Sequence, residues 1–312
     1  MQSHFATRRR FLKHGALAVA AACPFARWAW ADPLGLPIGI QLYMVAGDLE
    51  RDAPATIKQI AAIGYKEVET AGYGSAKTAA ELRKILDDNG LKCPSAHLQF
   101  DLNNLGKSFD DANALGCQYA TSSVPRLMIL NLAAASGSIT GMDRAGMVDK
   151  IMGPLSPDEF KRLAEVENTV GAAAKKAGLT FAAHNHTMEF APMEGKPGYD
   201  YLMDHTDPEL VKFEIDCGWM TVAGYKPGDY IRRYPGRVKM LHIKDFLPFE
   251  KGAGPGTAPG AEIGSGVVDY KTIFGQVKGG GIQHIFVEQE GPYSRMPPMR
   301  AAEVDYKYLH AL

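Results

Sequence analysis

The chain has 312 residues, 46% hydrophobic and 22% charged, enough apolar material for one large packed domain. Its 34 basic and 35 acidic side chains give a formal net charge of −1, which argues against a polyanion-binding surface. No pair of its four cysteines is spaced C-x-x-C. Cys93, Cys117 and Cys217 therefore read as small buried apolar residues rather than as a disulfide framework.

The first 31 residues read as an address label rather than as fold. Thr7-Arg8-Arg9-Arg10-Phe11-Leu12-Lys13 carries the twin-arginine pattern, followed by a mildly apolar stretch from Gly15 to Ala22. That stretch is far too short to span a bilayer. Ala29-Trp30-Ala31 then offers a small-x-small cleavage site before Asp32, so the segment is set aside from fold reasoning. The expectation is export to the periplasm by the twin-arginine translocase after folding in the cytoplasm. Ala20-Ala21-Ala22-Cys23 offers a weaker, lipoprotein-type alternative with an anchor at Cys23.

Residues 32–312 alternate strand-like and helix-like patterns. Ile38 to Tyr43 reads as the first strand and is followed by an amphipathic run from Asp52 to Ile63. Tyr65 to Thr70 is the second strand. A helix then runs from Ala76 to Asp88, stopped by Asn89-Gly90. Leu91 to His97 is the third strand, with a helix to Leu115-Gly116, and Gln118 to Ser122 is a weaker fourth. The segment 131–154 is Gly- and Ala-rich without a clear period, and reads as an insertion covering the mouth of the domain. Ser156-Pro157-Asp158-Glu159 opens a long helix with Pro in its first turn.

Four further strands follow: Phe181 to His186, Phe213 to Asp216, Met240 to Asp245 and Ile285 to Glu290. Short helices separate them, and a last helix covers Met299 to His310. Eight βα pairs in about 280 residues predict a single (β/α)8 TIM barrel. A doubly wound sheet is the alternative. It calls for a Gly-rich phosphate turn after the first strand, where this chain has Met44-Val45-Ala46-Gly47-Asp48.

Each of the last four strands ends in metal-type side chains. Residues two apart on a strand share a face, so His184 pairs with His186, Glu214 with Asp216, His242 with Lys244, and Glu288 with Glu290. In a parallel barrel those ends converge on one mouth, the face that carries active sites. The predicted ligand set is His186, Asp216, His242 and Glu288, a mixed N/O set suited to one divalent ion such as Mn, Co, Fe or Zn. Glu288 is preferred to Glu290 because it lies nearer the strand. At the fifth strand His184, His186 and Glu189 compete, with His186 assigned to the metal and His184 to acid/base work. Glu189 is carried as a further catalytic candidate. Lys244 is predicted to polarise a substrate oxygen, against an ion pair with Asp245. Glu69 and His97 are predicted to bind substrate hydroxyls, with Trp219 as an apolar wall against a sugar face.

The chain resembles the xylose isomerase-like barrel superfamily, the sugar phosphate isomerase/epimerase group. The resemblance covers nearly everything after the leader. It rests on Gly39 to Tyr43, Gly64 to Glu69, His184-Asn185-His186 with Glu189-Phe190, Asp216 with Gly218-Trp219, His242 to Asp245, Gly264 to Asp269 and Val287 to Gln289. Such barrels bind one divalent metal through Glu, Asp, His and Glu at successive strand ends. Asp216, His242 and Glu288 match the last three, and His184-Asn185-His186 replaces the first Glu. That replacement argues against a plain ketose 3-epimerase.

The resemblance implies proton abstraction next to the carbonyl of a sugar or keto-sugar, through a metal-stabilised enediolate. Isomerase or epimerase action is the leading expectation, with lyase or dehydratase action on 3-keto-glycosides as the alternative. A non-catalytic sugar-binding barrel is a second alternative. Abasic-site endonuclease action is not expected, because it requires a basic phosphate track, and no nucleic-acid partner is predicted.

Overall fold

Eight short runs rich in β-branched, aromatic and small residues form the strands of a closed parallel barrel. The computed structural model describes residues 33–122, 124–130 and 150–312. The strands are β1 (Ile38–Gln41), β2 (Glu67–Thr70), β3 (Lys92–Leu98), β4 (Tyr119–Ser122), β5 (Thr180–His184), β6 (Val211–Asp216), β7 (Val238–Ile243) and β8 (His284–Val287). Each pairs in parallel with the next, and β8 closes on β1 through Ile38↔Ile285 to Ile40↔Val287. The fold is the expected single (β/α)8 barrel.

The helices between them are α1 (Ala46–Arg51), α2 (Ala53–Ile63), α3 (Ala79–Asp88), α4 (Leu105–Leu115), α5 (Pro125–Leu130) and α6 (Pro157–Lys176). In the second half lie α7 (Gly198–His205), α8 (Cys217–Val222), α9 (Pro227–Arg233), α10 (Tyr270–Val277) and α11 (Pro298–His310). Capping chemistry sets several of their starts. Ser156 and Glu159 form a reciprocal capping box at the head of α6, with Pro157 in the first turn. Thr78 caps α3 by accepting the Glu81 N–H, so this helix begins three residues later than the pattern from Ala76 predicts.

Two other boundaries differ for local reasons. The first strand stops at Gln41 rather than Tyr43, because the Gln41 side chain accepts the Tyr43 N–H and turns the chain into a 3-10 segment. The last strand stops at Val287, which places Glu288 and Glu290 on the loop that leaves it.

The barrel interior is layered. Tyr119, Ala182, Met240 and Phe286 form an apolar plug, the usual filling of such a barrel. Gly39 leaves room for it: a Cβ there would lie 2.6 Å from Phe286 Cδ1 and 2.8 Å from the Ile285 carbonyl oxygen. Nearer the mouth the interior side chains become polar. Cys93, Cys117 and Cys217 are buried free thiols.

The expected leader at 1–31, including Cys23, and residues 131–149 of the expected insertion lie outside the described residues. The described end of that insertion is anchored by Arg126. Its guanidinium donates to the carbonyl oxygens of Lys150 (2.8 Å), Gly153 (2.9 Å) and Pro154 (2.7 Å), and to Glu159 Oε1 (2.8 Å).

Candidate metal and acid–base site

The inward positions at the mouth carry Glu69, His97, His184, Glu214, Asp216, His242, Lys244 and Glu288, all with buried side chains. Isolated charges in such a place would be costly, and here each is held by a partner of opposite kind. His242, near the end of β7, stands between two groups. Its Nε2 is 2.6 Å from Glu69 Oε2 and 3.2 Å from Glu214 Oε2. Its Nδ1 is 2.9 Å from Glu288 Oε2 and 4.0 Å from Asp216 Oδ2.

The first group gathers around Glu214. His97 Nε2 and His184 Nδ1 each lie 2.9 Å from Glu214 Oε2. Glu69 is fixed by Gln41, whose Nε2 donates to Oε2 at 2.8 Å, and by the Ser95 hydroxyl on Oε1. Ser95 is in turn 2.8 Å from the Thr121 hydroxyl. The strand ends from β1 to β4 therefore serve mainly to orient one carboxylate.

The environment pushes these groups in different directions. Burial lowers His184, reinforced by the nearby His242 and His97 imidazoles, so its ring is held neutral. Burial would also lower His97, but Glu69 and Glu214 outweigh it and raise the ring to about 9. Glu214 is pushed up to about 7 by burial and by the Glu69 charge. Glu69 is held well below the usual carboxylate range, because His97 and His242 outweigh its desolvation.

The second group is Asp216, His242 and Glu288, whose donor atoms lie within 4.8 Å of one another, as do those of His97, His184, Glu214 and His242. Lys244 Nζ sits 2.9 Å from Asp216 Oδ2, 2.9 Å from Glu288 Oε2 and 2.8 Å from Glu290 Oε1. Two carboxylates and an imidazole suit a divalent ion. The fit is supported by an orphaned acceptor: Asp216 Oδ2, despite the nearby ammonium, accepts no well-aligned hydrogen bond. A buried oxygen without a partner is unfavourable, and ligation would satisfy it. Asp216 also caps α8 through Oδ1, which accepts the Trp219 N–H at 2.8 Å.

The predicted site residues thus divide. Asp216, His242 and Glu288 come together, with Lys244 against them; Glu69, His97 and His184 form the neighbouring group. His186 and Glu189 belong to neither. His186 lies just past β5, buried, its Nδ1 without a hydrogen-bond partner and its ring centroid 5.0 Å from that of His184. Burial drives His186 down to about 4. Glu189 Oε2 accepts the His186 N–H at 2.8 Å, and burial pushes its carboxyl up to about 8. Lys244 makes no ion pair with Asp245, which instead accepts the N–H groups of Gly264, Gly266 and Val268. Trp219 is buried, packed on Val222 and Phe246, and its Nε1 donates to Glu290 Oε1 at 3.0 Å.

Glu214 was not among the predicted site residues, although its period-two relation to Asp216 signals that both face inward. Gln41, Ser95 and Thr121 left no signal, since uncharged polar residues at strand ends are common. The barrel also carries a cleft of about 1210 Å³. Met152, Thr187, Phe190, Val222, Phe249 and Lys251 are among its lining residues.

The family model for the xylose isomerase-like TIM barrel matches residues 57–312. The chain belongs to this family. It is 27% identical to an inosose dehydratase of Lacticaseibacillus casei over 272 residues, covering 82% of this chain and 88% of the relative. It is 29% identical to an inosose dehydratase of Clostridium perfringens over 170 residues, covering 50% of this chain and 55% of the relative. A sugar phosphate isomerase/epimerase from Parabacteroides distasonis shares the barrel with a TM-score of 0.67 at 24% identity, covering 88% of this chain and 94% of that one. A D-psicose 3-epimerase from Clostridium cellulolyticum shares it with a TM-score of 0.59 at 15% identity, covering 88% and 98%. These two structural likenesses show the shared fold.

Proposed function

We propose that the chain is a metal-dependent isomerase or epimerase of a sugar or keto-sugar that works by removing a proton next to a carbonyl. The observation that carries this reading is the double engagement of His242. One ring nitrogen faces the Asp216–Glu288 pair, and the other faces the group holding His184 and His97. In this reading a donor set for a cation and a set of proton-handling side chains lie side by side at the mouth of the barrel.

Asp216, His242 and Glu288 would hold the ion, with His186, whose Nδ1 has no hydrogen-bond partner, as a candidate fourth donor. A divalent ion there supplies Lewis-acid stabilisation of charge developing on a substrate oxygen. With His184 Nδ1 donating to Glu214, its Nε2 carries the lone pair. In this reading His184 takes a proton from the carbon beside the carbonyl as its C–H electron pair moves into the carbonyl system. Delivery of a proton to the former carbonyl carbon, with the neighbouring hydroxyl proton passing to the former carbonyl oxygen, completes isomerisation, and delivery of a proton to the opposite face of the same carbon completes epimerisation. His97 and Lys244 are the candidates for binding hydroxyl or carbonyl oxygens.

Dehydration is the second reading, favoured by the naming of the curated relatives as inosose dehydratases. The same proton removal followed by loss of a β-hydroxyl as water would give an unsaturated ketone. Both readings are tested by supplying Mn, Co, Fe or Zn and following a panel of ketoses and cyclic polyhydroxyketones by NMR in deuterated water. Deuterium incorporation with a mass-conserving product supports isomerisation or epimerisation, and loss of water supports dehydration. No exchange and no product with any metal would sink both.

Export is a separate part of the proposal, supported by Arg8-Arg9-Arg10-Phe11-Leu12-Lys13 and Ala29-Trp30-Ala31. Arg8→Lys combined with Arg9→Lys should hold the protein in the cytoplasm with residues 1–31 uncleaved. Normal export of that variant would overturn this part.

A further inference from the structure

We infer that Lys244 is a built-in competitor for the metal position, an ammonium that holds the carboxylate pair in the metal-free protein and withdraws towards Glu290 when a divalent ion binds. The inference rests on the metal-dependent reading above and deepens it. Three observations carry it. Lys244 Nζ lies at the same distance, 2.9 Å, from Asp216 Oδ2 and Glu288 Oε2, two of the three oxygen and nitrogen donors of the proposed set. Its own side chain is buried, so this is an interior contact and not a surface pair. The third partner, Glu290, lies off the donor set, with its carboxylate 2.8 Å from Nζ.

Glu290 also has the features of a release position. Its Oε1 is already anchored by the Trp219 indole N–H at 3.0 Å, and Lys244 Nζ lies 5.1 Å from the centre of the Trp219 ring. An ammonium that let go of Asp216 and Glu288 would keep an ion pair and a cation–π contact without crossing the barrel. The charge balance agrees. Asp216 and Glu288 carry two negative charges, which an ammonium shared with Glu290 does not balance and a divalent ion does, so the two cations compete for the same acids. A side chain that must release the acids before metal binds lowers apparent metal affinity by the fraction of molecules in which the acids are free. Among the described charged groups facing Lys244, Asp216, Glu288 and Glu290 are acidic, His184 and His186 are the nearby imidazoles, and His242 shares Asp216 and Glu288 with it.

The test is the affinity of metal-stripped protein for Mn²⁺ and Zn²⁺, by calorimetric titration, with the metal-induced shift in melting temperature as a second readout. Lys244→Met keeps the length of the side chain and removes the charge. It should tighten metal binding about tenfold or more, since breaking a buried pair leaves its acids strongly unsatisfied. It should also enlarge the metal-induced thermal shift. Glu290→Gln removes the release position and should weaken binding by about two- to fivefold, the scale of a partly exposed pair. Wild-type affinity, or weaker, in Lys244→Met would overturn the inference while leaving the metal site intact. If Lys244→Met does not fold, Glu290→Gln decides: weaker binding supports competition, and unchanged or tighter binding overturns it. Absence of metal binding in wild type and both variants would overturn the metal reading itself and this inference with it.

Discussion

His242 Nε2 lies 2.6 Å from Glu69 Oε2 and thereby joins β7 to β2 across the barrel interior. The contact places a β7 imidazole under the control of a first-half carboxylate that Gln41 and Ser95 hold in place. It also turns the opposite ring nitrogen towards Glu288 and Asp216. The tautomer and tilt of a prospective ligand are thus set by a residue outside the ligand group, as with outer partners of metal-bound histidines.

His242→Ala and Glu288→Ala should each abolish stoichiometric metal. Elemental analysis of protein purified with its metal should give about one equivalent in wild type, as expected for a single built site. Retention of a full equivalent in both variants would place the ion elsewhere.

Glu214→Gln separates binding from chemistry. Glu214 holds His97 and His184 but lies outside the Asp216–His242–Glu288 group. The variant should keep its metal and lose turnover by roughly 10²–10⁴-fold, the scale of general acid–base catalysis. Metal content and steady-state kinetics on the same preparation check it, and loss of metal with activity would remove the distinction.

Gly39→Ala should destabilise the barrel by about 1–3 kcal/mol, the usual range for overpacking a core. The added methyl meets the Phe286 ring and the Ile285 carbonyl, neither of which is a free side-chain end. Urea denaturation measures the change. A stability equal to wild type would mean that β8 can shift away from β1 at little cost.

Asp305 supplies a pH prediction remote from the proposed ligands. Burial pushes its carboxyl up to about 8, with the Ile263 N–H opposing and Glu262 assisting. Because the folded value lies above the unfolded one of about 3.9, the folded state holds the proton more tightly. That contribution to stability is fully present below about pH 4 and is lost as pH rises through about 8. Asp305→Asn removes the titration, so its stability relative to wild type should increase steadily from pH 5 to pH 8 and then level. Denaturation midpoints at several pH values test this, and a constant difference would show that Asp305 does not titrate in the window.

The eightfold alternation, the strand-end positions of Asp216, His242 and Glu288, and the head of α6 at Ser156–Glu159 were all legible in the sequence. Hydrophobic periodicity, turn residues and capping are local signals, and a closed parallel barrel then forces strand ends to one mouth. Even the inward face of Glu214 follows from its two-residue spacing to Asp216. Tertiary structure alone decided the partners. That Glu69 reaches His242, that Lys244 chooses Asp216, Glu288 and Glu290 over its neighbour Asp245, and that His186 stands apart from both donor groups depend on strands far apart in the chain. The physical reason is that side-chain charge pairing in a buried mouth is set by distances across the barrel and by the cost of leaving any acid unpartnered, and neither is a function of spacing along one strand.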